Sequence, residues 1–88
     1  MSISTASAAS STRFIVAVSG NGRNWQKVGF ANLNGNRVTL DDAVQCTFPK
    51  DTRTNSNIRK ACRWVASEGA TSVDLESRAL TVKVIILK

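Results

Sequence analysis

The chain contains no histidine, only one proline and only six acidic residues among its 88. Without histidine, the commonest general base of enzymes is missing. The adjacent carboxylates Asp41 and Asp42 are typical of a turn with capping acceptors rather than of an acid/base pair. The sequence has neither a phosphate-binding loop nor a dinucleotide fingerprint. We therefore expect a protein that is not an enzyme and that needs no cofactor.

Cysteine is also scarce. Cys46 and Cys62 are spaced 16 residues apart, and without histidine they match no recognisable zinc site. Cys62 lies on the apolar side of a predicted helix and Cys46 on a predicted strand, so we expect both to be small buried residues. No metal site is predicted, and nothing in the sequence supports a disulfide. No secretory signal is apparent, so the expected location is the cytoplasm, or a virion if the protein is viral.

The clearest structural signal lies in residues 13–40, where Asn21-Gly22 and Asn34-Gly35 each separate apolar-rich runs. Asn and Gly tolerate positive φ, so each pair fits a two-residue hairpin loop, and two such loops predict a three-stranded antiparallel meander. The resulting core face comprises Phe14, Val16, Val18, Trp25, Gly29, Ala31, Val38 and Leu40, with Lys27 as its lone charge. The opposite, mixed face comprises Arg13, Ile15, Ala17, Gln26, Val28, Phe30, Asn32, Arg37 and Thr39.

The middle of the chain predicts a short element and then a helix. Alternation in residues 43–48 favours a fourth strand with Val44, Cys46 and Phe48 pointing inward; a short helix beginning near Asp41 is the competing interpretation. A helix is predicted over residues 57–68, with Gly69 as its C-terminal stop. Its buried stripe is expected to comprise Ile58, Ala61, Cys62 and Val65.

The last strand is the most apolar run in the chain, and residues 71–75 are positioned to pair with it as a hairpin. A strand that is apolar on both faces is typical of a sheet centre or a subunit interface. We expect a homo-oligomer interface formed by Leu80, Val82, Val84, Ile85, Ile86 and Leu87. The run is too short to span a membrane.

These elements predict an α+β fold in which an antiparallel β-meander carries one packed amphipathic helix and a C-terminal apolar strand or hairpin. Residues 13–88 are expected to form a single domain. They follow a Ser/Ala/Thr-rich N-terminal arm, residues 1–12, whose default conformation is flexible.

The charge of the chain indicates its partners. Twelve Lys and Arg against six Asp and Glu give a formal net charge of +6 and a pI of about 10.2. Such an excess favours nucleic acid or an acidic protein surface, although surface charge also serves solubility alone. The predicted nucleic-acid-binding residues are Arg53, Arg59, Lys60 and Arg63, supported by Arg37 and Arg23, with Trp64 either stacking on bases or covering the core.

Three functions remain open at this point. The first is a small, basic, non-enzymatic nucleic-acid-binding protein that contacts the phosphate backbone of RNA or single-stranded DNA without clear sequence specificity, as a homo-oligomer. The alternatives are a viral or phage structural protein of the coat or assembly type, and a small inhibitor of a host machine. In architecture, the predicted sheet and helix resemble single-strand-binding Whirly domains and small viral coat proteins, but no motif allows residue roles to be carried over.

Overall fold

The computed structural model describes residues 11–48, 52–77 and 80–87, which form a five-stranded antiparallel sheet with two helices on one face. The elements in chain order are β1 (Thr12–Ser19), β2 (Gln26–Asn34), β3 (Arg37–Leu40), α1 (Asp42–Thr47), α2 (Thr52–Glu68), β4 (Ser72–Glu76) and β5 (Thr81–Leu87). The strand order is β3-β2-β1-β5-β4. The α+β fold, with its meander, its packed helix and its C-terminal hairpin, is confirmed. Of the predicted arm, residues 1–10 lie outside the described residues, and Thr12 already belongs to β1.

The first hairpin does not have the predicted two-residue loop at Asn21-Gly22. Residues 20–25 connect the strands, and Asn21 Oδ1 accepts hydrogen bonds from the backbone N–H groups of Arg23 (2.8 Å) and Asn24 (3.0 Å). Ser19 Oγ accepts from the N–H of Gly22 at 2.8 Å. These side-chain acceptors satisfy the backbone of a wider loop, which is the turn chemistry that short polar side chains provide.

A β-bulge in this hairpin changes the face on which Lys27 lies. Val16 pairs with Gly29, but Ala17 pairs with Lys27, so β2 holds one extra residue, Val28, at the irregularity. An extra residue reverses the alternation of side chains beyond it. Lys27 therefore leaves the predicted core face and joins the opposite one. Its position as the lone charge among apolar residues was a sign that the regular register was wrong.

The second hairpin turns one residue later than predicted, at Gly35-Asn36. Gly35 has φ +65, whereas Asn36 does not adopt positive φ. A type II′ turn requires glycine at its first loop position. The pair Gly35-Asn36 meets this requirement, and the pair Asn34-Gly35 does not. Ala31 consequently pairs with Leu40, two residues from the predicted partner, Val38. A two-residue shift preserves the faces, so Ala31, Val38 and Leu40 remain in the core.

Residues 43–48 do not form a fourth strand; the competing short helix is correct. Asp41 is the N-cap of α1, and its carboxylate accepts from the N–H of Val44 (3.1 Å) and from the N–H of Phe30 (2.9 Å). Val44 and Phe48 are four residues apart, which places both on the buried side of a helical turn. Cys46 lies between them and is exposed, so the expectation that it is buried is wrong.

Helix α2 packs on the sheet through the predicted stripe. Ile58, Cys62 and Val65 have no exposed surface, and Ala61 is 6% exposed. The helix begins at Thr52, five residues before the predicted start, and Gly69 ends it with φ +70. Beneath it, Phe14, Val16, Val82 and Val84 of the central strands are fully buried. Each such large side chain contributes about 1.5–3 kcal/mol. No described helix is long and apolar enough to cross a membrane.

Candidate functional site

The face of the sheet turned away from the helices, here called the open face, collects the side chains that alternate with the core positions. They are Arg37 and Thr39 on β3; Lys27, Phe30 and Asn32 on β2; Arg13, Ile15 and Ala17 on β1; Lys83, Ile85 and Leu87 on β5; and Ser72, Asp74 and Glu76 on β4. Seven of the nine predicted mixed-face residues lie on the open face, and Lys27 and the β5 residues join them. The predictions for Gln26 and Val28 are wrong: the bulge pairs Gln26 with Val18 of the core side, and Val28 packs against the core.

Cationic side chains on this face come from four adjacent strands. Arg37 lies on β3, Lys27 on β2, Arg13 on β1 and Lys83 on β5. Ala17 pairs with Lys27 on one side and with Lys83 on the other, so these two lysines flank the same position of β1. The carboxylates of the open face belong to the edge strand β4. The face is thus basic over four strands and acidic at one margin.

Phe30 is the aromatic centre of the basic region. It pairs with Ile15, while the neighbouring positions on the same face hold Arg13 and Lys27. The Arg13 guanidinium carbon lies 4.0 Å from the centre of the Phe30 ring, and Lys27 Nζ lies 4.4 Å from it. These distances are within the range of cation–π contacts. Phe30 is half-buried, so part of its surface is accessible.

A second aromatic ring adjoins the basic region. Lys83 Nζ lies 4.4 Å from the centre of the Trp25 ring. Asp74 directly opposes Lys83 on β4, yet no ion pair joins these two residues. Trp25 was expected in the core, but it lies in the loop before β2, outside the buried cluster, and is only half-buried. No local sequence pattern indicates the Lys83 contact, because it depends on the pairing of β5 with β1.

The predicted nucleic-acid-binding residues do not form one surface. Arg53, Lys60 and Arg63 are exposed on α2, on the opposite side of the sheet from Arg37. Arg59 is half-buried on the same helix, and Arg23 is exposed in the loop between β1 and β2. The structure therefore brings the α2 cations together with one another and separates them from the open face.

Trp64 is 50% exposed and borders a groove between α2 and β4. The groove has a volume of about 310 Å³ and is also lined by Lys60, Val73 and Leu75. A second groove, of about 300 Å³, separates Arg63 from the Gly35-Asn36 turn. Trp64 thus covers part of the core margin and also leaves half of its surface accessible, so both sequence-based interpretations of this residue remain compatible with its position.

The predicted interface residues of the last strand divide between two environments. Val82 and Val84 are fully buried beneath α2, and Leu80 and Ile86 pack against the same core. Val82 and Val84 therefore have no surface left to contact a neighbouring chain, whereas Leu80 and Ile86 are only partly buried and their interface role stays a prediction. Ile85 is half-buried on the open face, and Leu87 is 38% exposed there. Because β5 lies between β1 and β4, the edges open to strand pairing among the described strands are β3 and β4.

The thiol of Cys62 is buried in the core. Burial raises the pKa of the Cys62 thiol from 9.0 to about 12, although the neighbouring Arg63 charge acts in the opposite direction. A thiol with such a pKa is inert as a nucleophile at neutral pH. Within the three described segments, no group of three or more Cys, Asp or Glu side chains is placed to hold a metal ion.

No protein-family model, no curated protein and no solved structure matches this chain.

Proposed function

We propose that this protein binds nucleic acid without catalysing a reaction, and that the open face of the sheet contacts the phosphate backbone. The observation that carries the proposal is the arrangement of Arg13, Lys27, Arg37 and Lys83 on four adjacent strands around Phe30 and Trp25. Lysine and arginine neutralise phosphates and release counterions, and aromatic rings among them accept bases. The contacts are to backbone phosphates, so sequence specificity is weak.

The charge of the open face favours a polyanion over a second copy of the same face. Two open faces brought together would oppose their cations at close range, and like charges across an interface are unfavourable. The carboxylates that could compensate, Asp74 and Glu76, lie at the margin on β4. A phosphate backbone meets the same cations with opposite charge.

The outer side of α2 is the competing surface for the same function. Its cations Arg53, Lys60 and Arg63 are exposed, and Trp64 is the exposed aromatic residue of the same helix. No cation–π contact joins Trp64 to these cations among the described residues. A solvated basic helix face serves solubility equally well. The open face combines charge with two engaged rings, so we assign it the principal contact.

Two matched variants separate these surfaces. The open-face variant carries Arg13→Gln, Lys27→Gln and Lys83→Gln; the helix variant carries Arg53→Gln, Lys60→Gln and Arg63→Gln. Each lowers the formal net charge from +6 by three, to +3, so general electrostatic attraction falls equally in both. Binding to fluorescein-labelled single-stranded DNA and RNA, measured by anisotropy, should weaken much more in the open-face variant.

The purified wild-type protein gives an independent check. Its 260/280 absorbance ratio, before and after nuclease treatment, reports whether nucleic acid accompanies the protein. Equal weakening of binding in both variants would show that the interaction depends on net charge alone. A selective loss in the helix variant would move the site to α2, and a wild-type protein that binds neither probe would refute nucleic-acid binding.

A structural protein of the coat or assembly type is the second candidate. The observation that favours it is the pair of sheet edges, β3 and β4, which have no neighbouring strand among the described residues. Unpaired edges are templates for strand addition by another chain. Homo-oligomer formation belongs to this proposal and is compatible with the first, because a coat protein can also contact its genome. Sizing after nuclease treatment distinguishes them: a large resistant particle indicates assembly.

A further inference from the structure

Phe30 lies on the open face and Trp25 in the loop that adjoins it, and each ring has a cationic group within 4.4 Å of its centre. We propose that the ligand of this face is single-stranded nucleic acid, whose unpaired bases stack on Phe30 and Trp25. In the complex, Arg13, Lys27 and Lys83 turn from the rings to the phosphates. This inference rests on the proposed function and specifies the ligand of that site.

When a base replaces the cation over a ring, the change is favourable for the ring and for the displaced cation. Stacking of a base on an aromatic side chain contributes more than a cation over an exposed ring. The displaced ammonium or guanidinium group does not lose its partner, because a phosphate of the same strand replaces the ring. Arginine and lysine have long flexible stems, so they can make this movement without any change in the sheet.

The dimensions of the sheet argue against duplex DNA as the preferred ligand. Five strands at a spacing of about 4.8 Å span roughly 19 Å. The major groove of B-DNA is about 12 Å wide and admits a helix or a two-stranded ribbon. Phe30 lies on β2, which has β3 on one side and β1 on the other, so its ring cannot reach the bases inside a duplex. A single strand can lie across the face and present its bases to the rings.

The test uses the full chain with the substitution Trp64→Phe, which leaves Trp25 as the only tryptophan. Three probes carry equal numbers of phosphates: a thymidine oligomer, an abasic oligomer and a self-complementary duplex. We expect the thymidine oligomer to bind most tightly and to quench the Trp25 emission. The substitution Phe30→Leu keeps an apolar side chain but removes the ring, and it should weaken thymidine binding by roughly 5- to 150-fold.

The same substitution should not weaken binding of the abasic oligomer, since that probe has no base to stack and Arg13 and Lys27 no longer have to leave a ring. Circular dichroism verifies that Phe30→Leu is folded. If it is not, the loop variant Trp25→Leu takes its place with the same expected loss of thymidine binding, measured by the anisotropy of labelled probes because this variant has no tryptophan emission. Equal affinity for all three probes, together with an unaltered Trp25 emission, would overturn single-strand stacking while nucleic-acid binding stands. Failure of every probe to bind would refute the proposed function as well.

Discussion

Gly29 lies where the side chain of Asp41 reaches across to β2. A Cβ at this position would come within 2.6 Å of Asp41 Oδ1 and 2.8 Å of Oδ2. That carboxylate cannot simply turn aside, because it holds hydrogen bonds from the N–H groups of Phe30 and Val44. The Asp41 side chain therefore joins β2 to the start of α1. It fits there only because Gly29 has no side chain.

We expect Gly29→Ala to lower the free energy of unfolding by about 1–3 kcal/mol, the usual range for overpacking, because it displaces the Asp41 cap. Gly20→Ala is the matched control, since a Cβ there would meet nothing within 4 Å and its φ is not positive. Urea unfolding followed by circular dichroism measures both. A Gly29→Ala protein as stable as the Gly20→Ala protein would show that the cap does not contribute.

At the scale of elements, the helix α2 and the C-terminal hairpin could be predicted because their signals are local. Ile58, Ala61, Cys62 and Val65 have helical spacing, and Gly69 has the positive φ that ends the helix. The strand prediction for residues 43–48 was wrong because Val44, Cys46 and Phe48 alternate as in a strand, while Val44 and Phe48 also have helical spacing. The tertiary cap from Asp41, which also binds β2, decides between the two interpretations and cannot be read locally.

The candidate site was harder to predict than the fold. The mixed face with Arg13, Arg37 and Phe30 followed from strand alternation. To place Lys27 on the open face, one must know of the bulge opposite Val16 and Ala17. To place Lys83 there, one must know that β5 pairs with β1. Both depend on long-range register, which short sequence patterns do not specify.

The burial of Cys62 in the apolar stripe of α2 predicts that the free energy of unfolding decreases at alkaline pH. The folded pKa of Cys62, about 12, lies above its ordinary 9.0. Between these values the unfolded chain releases the thiol proton and the folded chain retains it. The contribution of Cys62 is therefore complete below about pH 9 and is lost as the pH rises toward 12.

Urea unfolding at pH 8 and pH 10 should show a decrease that Cys62→Ala diminishes, because alanine has no proton to release. Cys46→Ala is the control, since Cys46 is exposed. Thiol reagents should modify Cys46 in the native protein and spare Cys62. Rapid native modification of Cys62, or an equal pH response in both variants, would contradict its burial.

At the scale of the whole molecule, the helices cover one face of the sheet and leave Leu87 exposed at the end of β5, on the other. If the chain is a homo-oligomer that uses this position, Leu87→Lys should shift it to a smaller species. Its circular dichroism should remain that of a folded protein, because Leu87 lies outside the buried cluster. Light scattering after nuclease treatment measures the size, with Glu76→Gln as a control on the same face that changes the net charge by the same amount. An unchanged mass would remove Leu87 from any interface.

The salt dependence of binding tests the central claim most directly, because it counts the phosphates that the protein neutralises. Each contact to a single strand contributes about 0.7 to the slope of log K against log salt concentration. The variant with Arg13→Gln, Lys27→Gln and Lys83→Gln should therefore have a slope shallower by about 2. The matched variant with Arg53→Gln, Lys60→Gln and Arg63→Gln should keep a slope close to that of the wild type. The reverse pattern, or an unchanged slope in the open-face variant, would contradict a phosphate-binding site on the open face.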